Sequence, residues 1–153
     1  TYVEFGPGDG VVTQYISKRL HPTSTFFAIE ANPQMASEFR AKFPGLTLHV
    51  ASAADLGSIC VTHGLSSESS VDAIISGLPW AVFDTELQKS ILLAASKALK
   101  PGGQMVTFAY NVGTYLSAGK RFATTLPQYF STVERSRTVW KNIPPAFVYR
   151  CTK

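Results

Sequence analysis

The stretch Val3-Glu4-Phe5-Gly6-Pro7-Gly8-Asp9-Gly10-Val11-Val12-Thr13-Gln14-Tyr15-Ile16 sets a glycine at every second position behind a glutamate. TYVEF, ahead of the first glycine, reads as a strand. GVVTQYISKRL, from Gly10, reads as a helix stopped by His21-Pro22. Glycines at a strand-to-helix junction permit positive φ and let bare backbone come within contact distance of a ligand. The helix N-terminus beyond them supplies unpaired N–H groups. In an open α/β sheet this is the crevice where ligands bind, beyond the carboxyl ends of the strands.

Outward from that loop, apolar and β-branched runs alternate with segments of helical period. TFFAIE is a strand, and PQMASEFRAKF a helix with Pro33 near its start and Met35, Phe39 and Phe43 on one face. LTLHVA is a strand and DLGSICVTHGL a looser helix, followed by a polar connector from Ser66 to Ser70. VDAIIS is a strand, and TELQKSILLAASKAL a helix turning Leu87, Ile91, Ala95 and Leu99 inward; KPGG ends it with turn chemistry. QMVTFAY is a strand and YLSAGKRFATTL a weaker helix. TVERSRTVW and PPAFVYRCTK close the chain as a strand pair with only KNIPP between them. Right-handed parallel crossovers follow, giving a Rossmann-like, doubly wound, mostly parallel sheet in a three-layer α/β/α arrangement, its last strand antiparallel.

The 153 residues, 45% of them hydrophobic, suit a single domain over residues 1–153. The chain starts at Thr1, already inside a strand, so upstream residues are expected to be missing. No basic-then-apolar leader or membrane-spanning run is present. Cys60 and Cys151 stand outside any CxxC spacing and read as buried thiols of a reducing compartment. His21, His49 and His63 form no ligand-spaced cluster, so no metal is expected. The expected location is cytoplasmic, with peripheral contact at the inner membrane surface. Residues 1–76 hold four Lys/Arg against seven Asp/Glu, and residues 77–153 hold ten against three. The basic half suits an anionic partner, nucleic acid or an acidic lipid surface; ordinary solvated lysines are the alternative.

A dinucleotide fingerprint GxGxxG fails here, because Val11 stands where its third glycine belongs. The run Glu4-Phe5-Gly6-Pro7-Gly8-Asp9-Gly10 resembles the E/DxGxGxG loop of class I S-adenosylmethionine-dependent methyltransferases at every fixed position. Glu30 closes the second strand in FFAIEAN, where an acidic side chain can accept both ribose hydroxyls. The resemblance implies S-adenosylmethionine as cofactor, held by Glu4, Gly6, Gly8, Gly10, Glu30 and Ala31, with Ser76 at the end of the fourth strand. At the third strand the resembled pattern is Gly-Asp-Ala, whose Asp meets the adenine amine. This chain has Ala51-Ser52-Ala53 there, leaving a neutral Ser52 hydroxyl, the Ala53 backbone and, three residues beyond Ser52, Asp55.

SGLPW, Ser76 to Trp80, occupies the position where base-amine methyltransferases carry Asn/Asp-x-Pro-aromatic. Gly77 replaces the amide, which argues against amine-directed base chemistry; the rRNA adenine dimethylases remain more distant relatives. VEFGPGDGVVTQYI, VDAIISGLPW, MVTFAY and VWKNIPPAFVYR together resemble the bacterial phospholipid N-methyltransferases, which methylate phosphatidylethanolamine. That resemblance implies in-line displacement at a sulfonium methyl, with the protein supplying alignment and a dry pocket that keeps the amine neutral. Trp80 and Tyr110, at the ends of strands four and five, are the candidate catalytic residues, offering cation–π faces. Lys120, Arg121, Arg135, Arg137 and Lys141 are candidates for a lipid phosphate or anionic surface. The readings left open are an rRNA adenine or small-molecule methyltransferase of the same fold, and a cofactor-binding module without catalysis.

Overall fold

The computed structural model describes residues 1–153. Seven strands form one sheet: β1 (Tyr2–Phe5), β2 (Phe26–Glu30), β3 (Thr47–Val50), β4 (Val71–Ser76), β5 (Leu99–Tyr110), β6 (Thr132–Arg135) and β7 (Ala146–Thr152). Their spatial order is β3-β2-β1-β4-β5-β7-β6. β1 to β5 pair in parallel, while β7 runs antiparallel to both β5 and β6. The chain reverses direction across the sheet at β1, so the crevice between β1 and β4 is the topological switch point.

Alternation along the strands assigns the two faces. Val3 and Phe5 of β1 and Phe27 and Ile29 of β2 join the main core of 23 buried residues with α3 (Leu56–Thr62), α4 (Thr85–Ala98) and α5 (Ser117–Thr125). Ala28 of β2 points the other way, into a smaller cluster with Leu48 of β3 and with Ala36 and Phe39 of α2 (Pro33–Lys42). Glu4, paired with Ala28 across the sheet, shares that second face and meets Thr13 of α1 (Thr13–Ser17). The expected three-layer arrangement is therefore present, with the apolar core concentrated on one side.

Local chemistry explains the helix starts. Asn32 caps α2 through its side-chain oxygen, which accepts from the Gln34 and Met35 amides, and Pro33 takes the first helical position. Asp84 caps α4 by accepting from Leu87 N at 2.8 Å. Two expectations are corrected. The first helix is five residues long, because Gly10 holds φ +82° and Val11-Val12 stay in a turn. KPGG does not separate α4 from the next strand: β5 begins at Leu99 and bulges through KPGG, so that Val71 pairs with Leu99 but Ala73 with Gln104. Of the residues expected inward on α4, Ile91 and Ala95 are buried and Leu87 half-buried, while Leu99 is buried as the first residue of β5.

Both cysteines are free and buried. The fold brings His49 and His63 together, their Nε2 atoms 2.8 Å apart with His63 stacked on Phe27, and no third His, Cys, Asp or Glu completes a metal-binding group. No helix is long and apolar enough to cross a membrane.

Candidate active site

All three loop glycines hold left-handed φ, +60° at Gly6, +55° at Gly8 and +82° at Gly10. Their surroundings differ. A side chain at Gly6 would run into Leu78 Cδ2 at 2.8 Å, and one at Gly10 would overlap the Phe43 ring at 2.1 Å. Gly10 is required by the protein's own packing, whereas at Gly6 the end of the Leu78 side chain can give way and the left-handed φ is what calls for glycine. At Gly8 the only neighbour is the Met35 methyl at an ordinary 3.5 Å, so its bare backbone faces open space. Glu30, at the end of β2, turns its carboxylate to this loop: Oε2 accepts from Gly8 N at 3.3 Å, Oε1 from Asn32 N at 2.9 Å. A carboxylate has about four acceptor positions, so lone pairs remain on both oxygens for a diol. Ala31, between Glu30 and Asn32, is exposed.

Glu4 lies beneath the loop, 2% exposed, with Oε2 accepting from the Thr13 hydroxyl at 2.7 Å. Burial pushes its carboxyl from 4.5 up to about 7, against the opposing effect of the Thr13 hydrogen bond. At the end of β3, Ser52 Oγ accepts from Ala54 N at 3.2 Å and caps the turn Ala53–Asp55. Its hydroxyl proton keeps a donor role. Ala53 is buried and Asp55 exposed. Ser76 is buried at the end of β4; its Oγ accepts from Leu78 N and its carbonyl from the Thr107 hydroxyl.

The glycine at position 77 has a structural cause. Gly77 N donates to Phe5 O at 2.8 Å, and a Cβ at Gly77 would sit 2.6 Å from Gly6 O. The ends of β1 and β4 approach too closely there for any side chain, so an amide cannot occupy this position without displacing the glycine loop. Trp80 follows, 3% exposed, its Nε1 donating to Thr107 Oγ1 at 2.9 Å and its ring stacked on Phe122 at 4.4 Å. Part of the indole is thus committed to the core.

Beside this turn lies a cavity of about 370 Å³, walled by the residues following β4, the end of β5 and the residues following it, α5 and β7. Its aromatic walls are Trp80, Phe108, Tyr110, Phe122, Phe147 and Tyr149, and no Asp, Glu, Lys, Arg or His lines it. Gly77 and Leu78 belong to its lining, and Leu78 also packs on Gly6, so the cavity adjoins the glycine loop. Tyr110 is 40% exposed at its rim. Tyr149 is buried in the wall, its phenol pKa raised by burial and its hydroxyl without a hydrogen bond inside the protein. Gln88, 1% exposed on α4, donates to Trp80 O and Ala118 O. Arg121 donates to Phe83 O and to Gln88 Oε1, so this guanidinium fixes the cavity's wall. Sequence reasoning brought out Trp80 and Tyr110 and missed Gln88, Phe108, Phe122, Phe147 and Tyr149. Only the alternation of aromatics along FVY could have pointed to the last two.

The sequence profile of the methyltransferase domain matches residues 3–103. Over 152 residues the chain is 27% identical to an ornithine lipid N-methyltransferase of Singulisphaera acidiphila, covering 97% of this chain and 73% of that protein. Its fold matches a TehB-like S-adenosylmethionine-dependent methyltransferase of Corynebacterium glutamicum with a TM-score of 0.70 at 17% identity, over 99% of this chain and 79% of that one. It also matches a spermidine synthase solved with the transition-state analogue AdoDATO, with a TM-score of 0.75 at 12% identity, over 99% of this chain and 54% of that one. Strand order and the antiparallel β7 agree with these likenesses. The chain belongs to the methyltransferase-domain family and has the class I fold of S-adenosylmethionine-dependent methyltransferases.

Proposed function

We propose that this chain, residues 1–153 acting as one domain, transfers a methyl group from S-adenosylmethionine to the amine of a lipid headgroup, an ethanolamine phospholipid or a related aminolipid. The observation that carries this reading is the cavity beside the glycine loop, aromatic-walled and without a carboxylate or imidazole. An amine attacks only when neutral, and a dry apolar pocket disfavours its ammonium form. As methyl groups accumulate, the same aromatic faces attract the growing cation. The curated relative's name, an ornithine lipid N-methyltransferase, supports a lipid amine.

When bound, S-adenosylmethionine supplies a methyl already activated on sulfonium. In this reading Gly8 gives the cofactor its close approach, with Gly6 and Gly10 shaping the loop. Glu30 accepts from the ribose hydroxyls beside Ala31, Ser52 and Ala53 border the adenine, and Glu4 and Ser76 support the crevice from below. Trp80 and Tyr110 wall the acceptor site. Tyr110, free at the rim, orients the amine through its ring or hydroxyl.

Radiolabelled methyl transfer into extracted membrane lipid and into structured RNA tests the proposal. Label in aminolipid is expected; label confined to RNA would overturn it. Calorimetric cofactor binding without transfer to any amine would instead indicate a binding module.

A further inference from the structure

The mouth of the cavity carries a second, unassigned feature. Val82 after β4, Val112 and Leu116 after β5 line the cavity and yet are 73%, 58% and 51% exposed. Beside them Tyr115, Trp140 and Ile143 are 80%, 73% and 95% exposed. The segments that bear them are tied together. Asn111 N donates to Pro145 O, and Thr138 Oγ1 donates to Asn111 Oδ1. Gly113 lies against Ala81. Three connections thus present one apolar rim at the carboxyl edge of the sheet.

The segment that runs through this rim is one-sided in charge. Residues 110–145 contain five Lys/Arg and one Asp/Glu. That acid, Glu134, faces Arg150 on β7. Asp84, the acid nearest Val82 in sequence, is engaged as the cap of α4. Lys120, Arg137 and Lys141 are exposed and form neither an ion pair nor a side-chain hydrogen bond within the chain. Lys42, Lys89, Lys97, Lys100 and Arg150, elsewhere, all face a carboxylate.

We infer that this rim is a membrane-docking face. Tyr115, Trp140 and Ile143 enter the interfacial region of an anionic bilayer, and Lys120, Arg137 and Lys141 meet its phosphates. Exposed aliphatic tips among the aromatics suit acyl chains, Trp and Tyr suit the headgroup level, and unpartnered cations suit a negative leaflet. The inference rests on the lipid-amine reading above, and it explains how a headgroup reaches a cavity whose mouth opens at the same surface.

The test uses the intact chain, without cofactor or turnover, and vesicles of phosphatidylglycerol and phosphatidylcholine in equal parts. Trp140 and Trp80 are the two tryptophans, and Trp80 is buried, so emission changes report on Trp140. Expected are a blue shift and quenching by acyl-brominated lipid, both abolished by Trp140→Phe. Tyr115→Ser with Ile143→Ser weakens vesicle binding by about tenfold while calorimetric cofactor binding stays unchanged. Charge reversal at Lys120, Arg137 or Lys141 weakens it by about fivefold or more per site. Absence of binding to anionic vesicles overturns the inference, as does binding that leaves Trp140 unquenched. A Trp140 response to structured RNA but not to vesicles overturns it in favour of a nucleic-acid surface. Vesicle binding with Trp140 quenched, but no label transferred to lipid, supports the docking face and overturns only the acceptor assignment.

Discussion

Replacing Glu30 with alanine is the sharpest test of the cofactor assignment. Its two carboxylate oxygens already hold the Asn32 and Gly8 amides at 2.9 and 3.3 Å, leaving a lone pair on each for the two hydroxyls of a ribose. Each hydrogen bond to a charged acceptor contributes about 1.5–3 kcal/mol. Losing both at the low end removes about 3 kcal/mol, which is about 150-fold in Kd. The fold loses less. Asn32 is exposed, so its amide turns to water, and the long Gly8 contact adds little; a stability loss of about 1 kcal/mol follows. Titration calorimetry with S-adenosylmethionine and S-adenosylhomocysteine, beside thermal unfolding of the ligand-free protein, separates the two effects. Glu30→Gln is expected to fall between wild type and alanine, since its amide group sets a donor against one of the two backbone N–H groups. A Kd for Glu30→Ala within about threefold of wild type, in a folded protein, would refute the ribose assignment.

Gly8→Val is expected to abolish cofactor binding, because the side chain enters the one open face of the loop. It destabilises the fold by about 1–2 kcal/mol through the left-handed φ of +55°. Retained binding by calorimetry would mean that the loop only turns the chain. Glu4→Gln tests the raised carboxyl. Its folded value of about 7 lies above the ordinary 4.5, so the native state holds the proton more tightly and ligand-free wild type loses stability as pH rises from 4.5 to 7. Denaturant unfolding at pH 8 should show the variant more stable by up to about 3 kcal/mol, and at pH 4.5 nearly equal; the same difference at both pH values would refute the burial argument. Trp80→Phe gives up the Thr107 hydrogen bond and part of the Phe122 stack, costing about 1–3 kcal/mol in chemical denaturation. It raises the acceptor KM while leaving cofactor affinity intact; a loss of cofactor binding in a folded variant would place Trp80 elsewhere in the mechanism.

The parts of the site legible in the sequence are those fixed by local backbone geometry. Three glycines at left-handed φ between a strand and a helix can be read from GPGDG alone, because few other residues adopt that conformation readily. Glu30 is legible because strand pairing carries it level with the loop. What the sequence hid depends on distant partners. Gly10 looks like a ligand-cradling glycine, but Phe43, at the far end of α2, is what forbids a side chain there. Trp80 looks like a free aromatic face until Thr107 and Phe122, on β5 and α5, engage it. The β5 bulge through KPGG reads as a plain turn because the same residues serve both.

Position 77 joins these two kinds of evidence. From the sequence, its glycine is only a missing amide, a gap in a base-recognition tetrapeptide. In the fold, the gap is enforced: a Cβ would lie 2.6 Å from the carbonyl of Gly6, inside the loop proposed to receive the cofactor. A hydrogen-bonding side chain at this point would therefore disturb the very loop the reaction requires. On the proposed assignment, recognition of the acceptor passes from a directional amide to the surrounding aromatic walls, which select by desolvation and by attraction for an alkylated cation. A base can still stack on such walls, but without the amide its amine edge goes unread. A flexible amine, neutral when it attacks and adding apolar surface with each methyl group, fits them better, and a quaternary product, whose charge no proton loss can remove, still meets their faces.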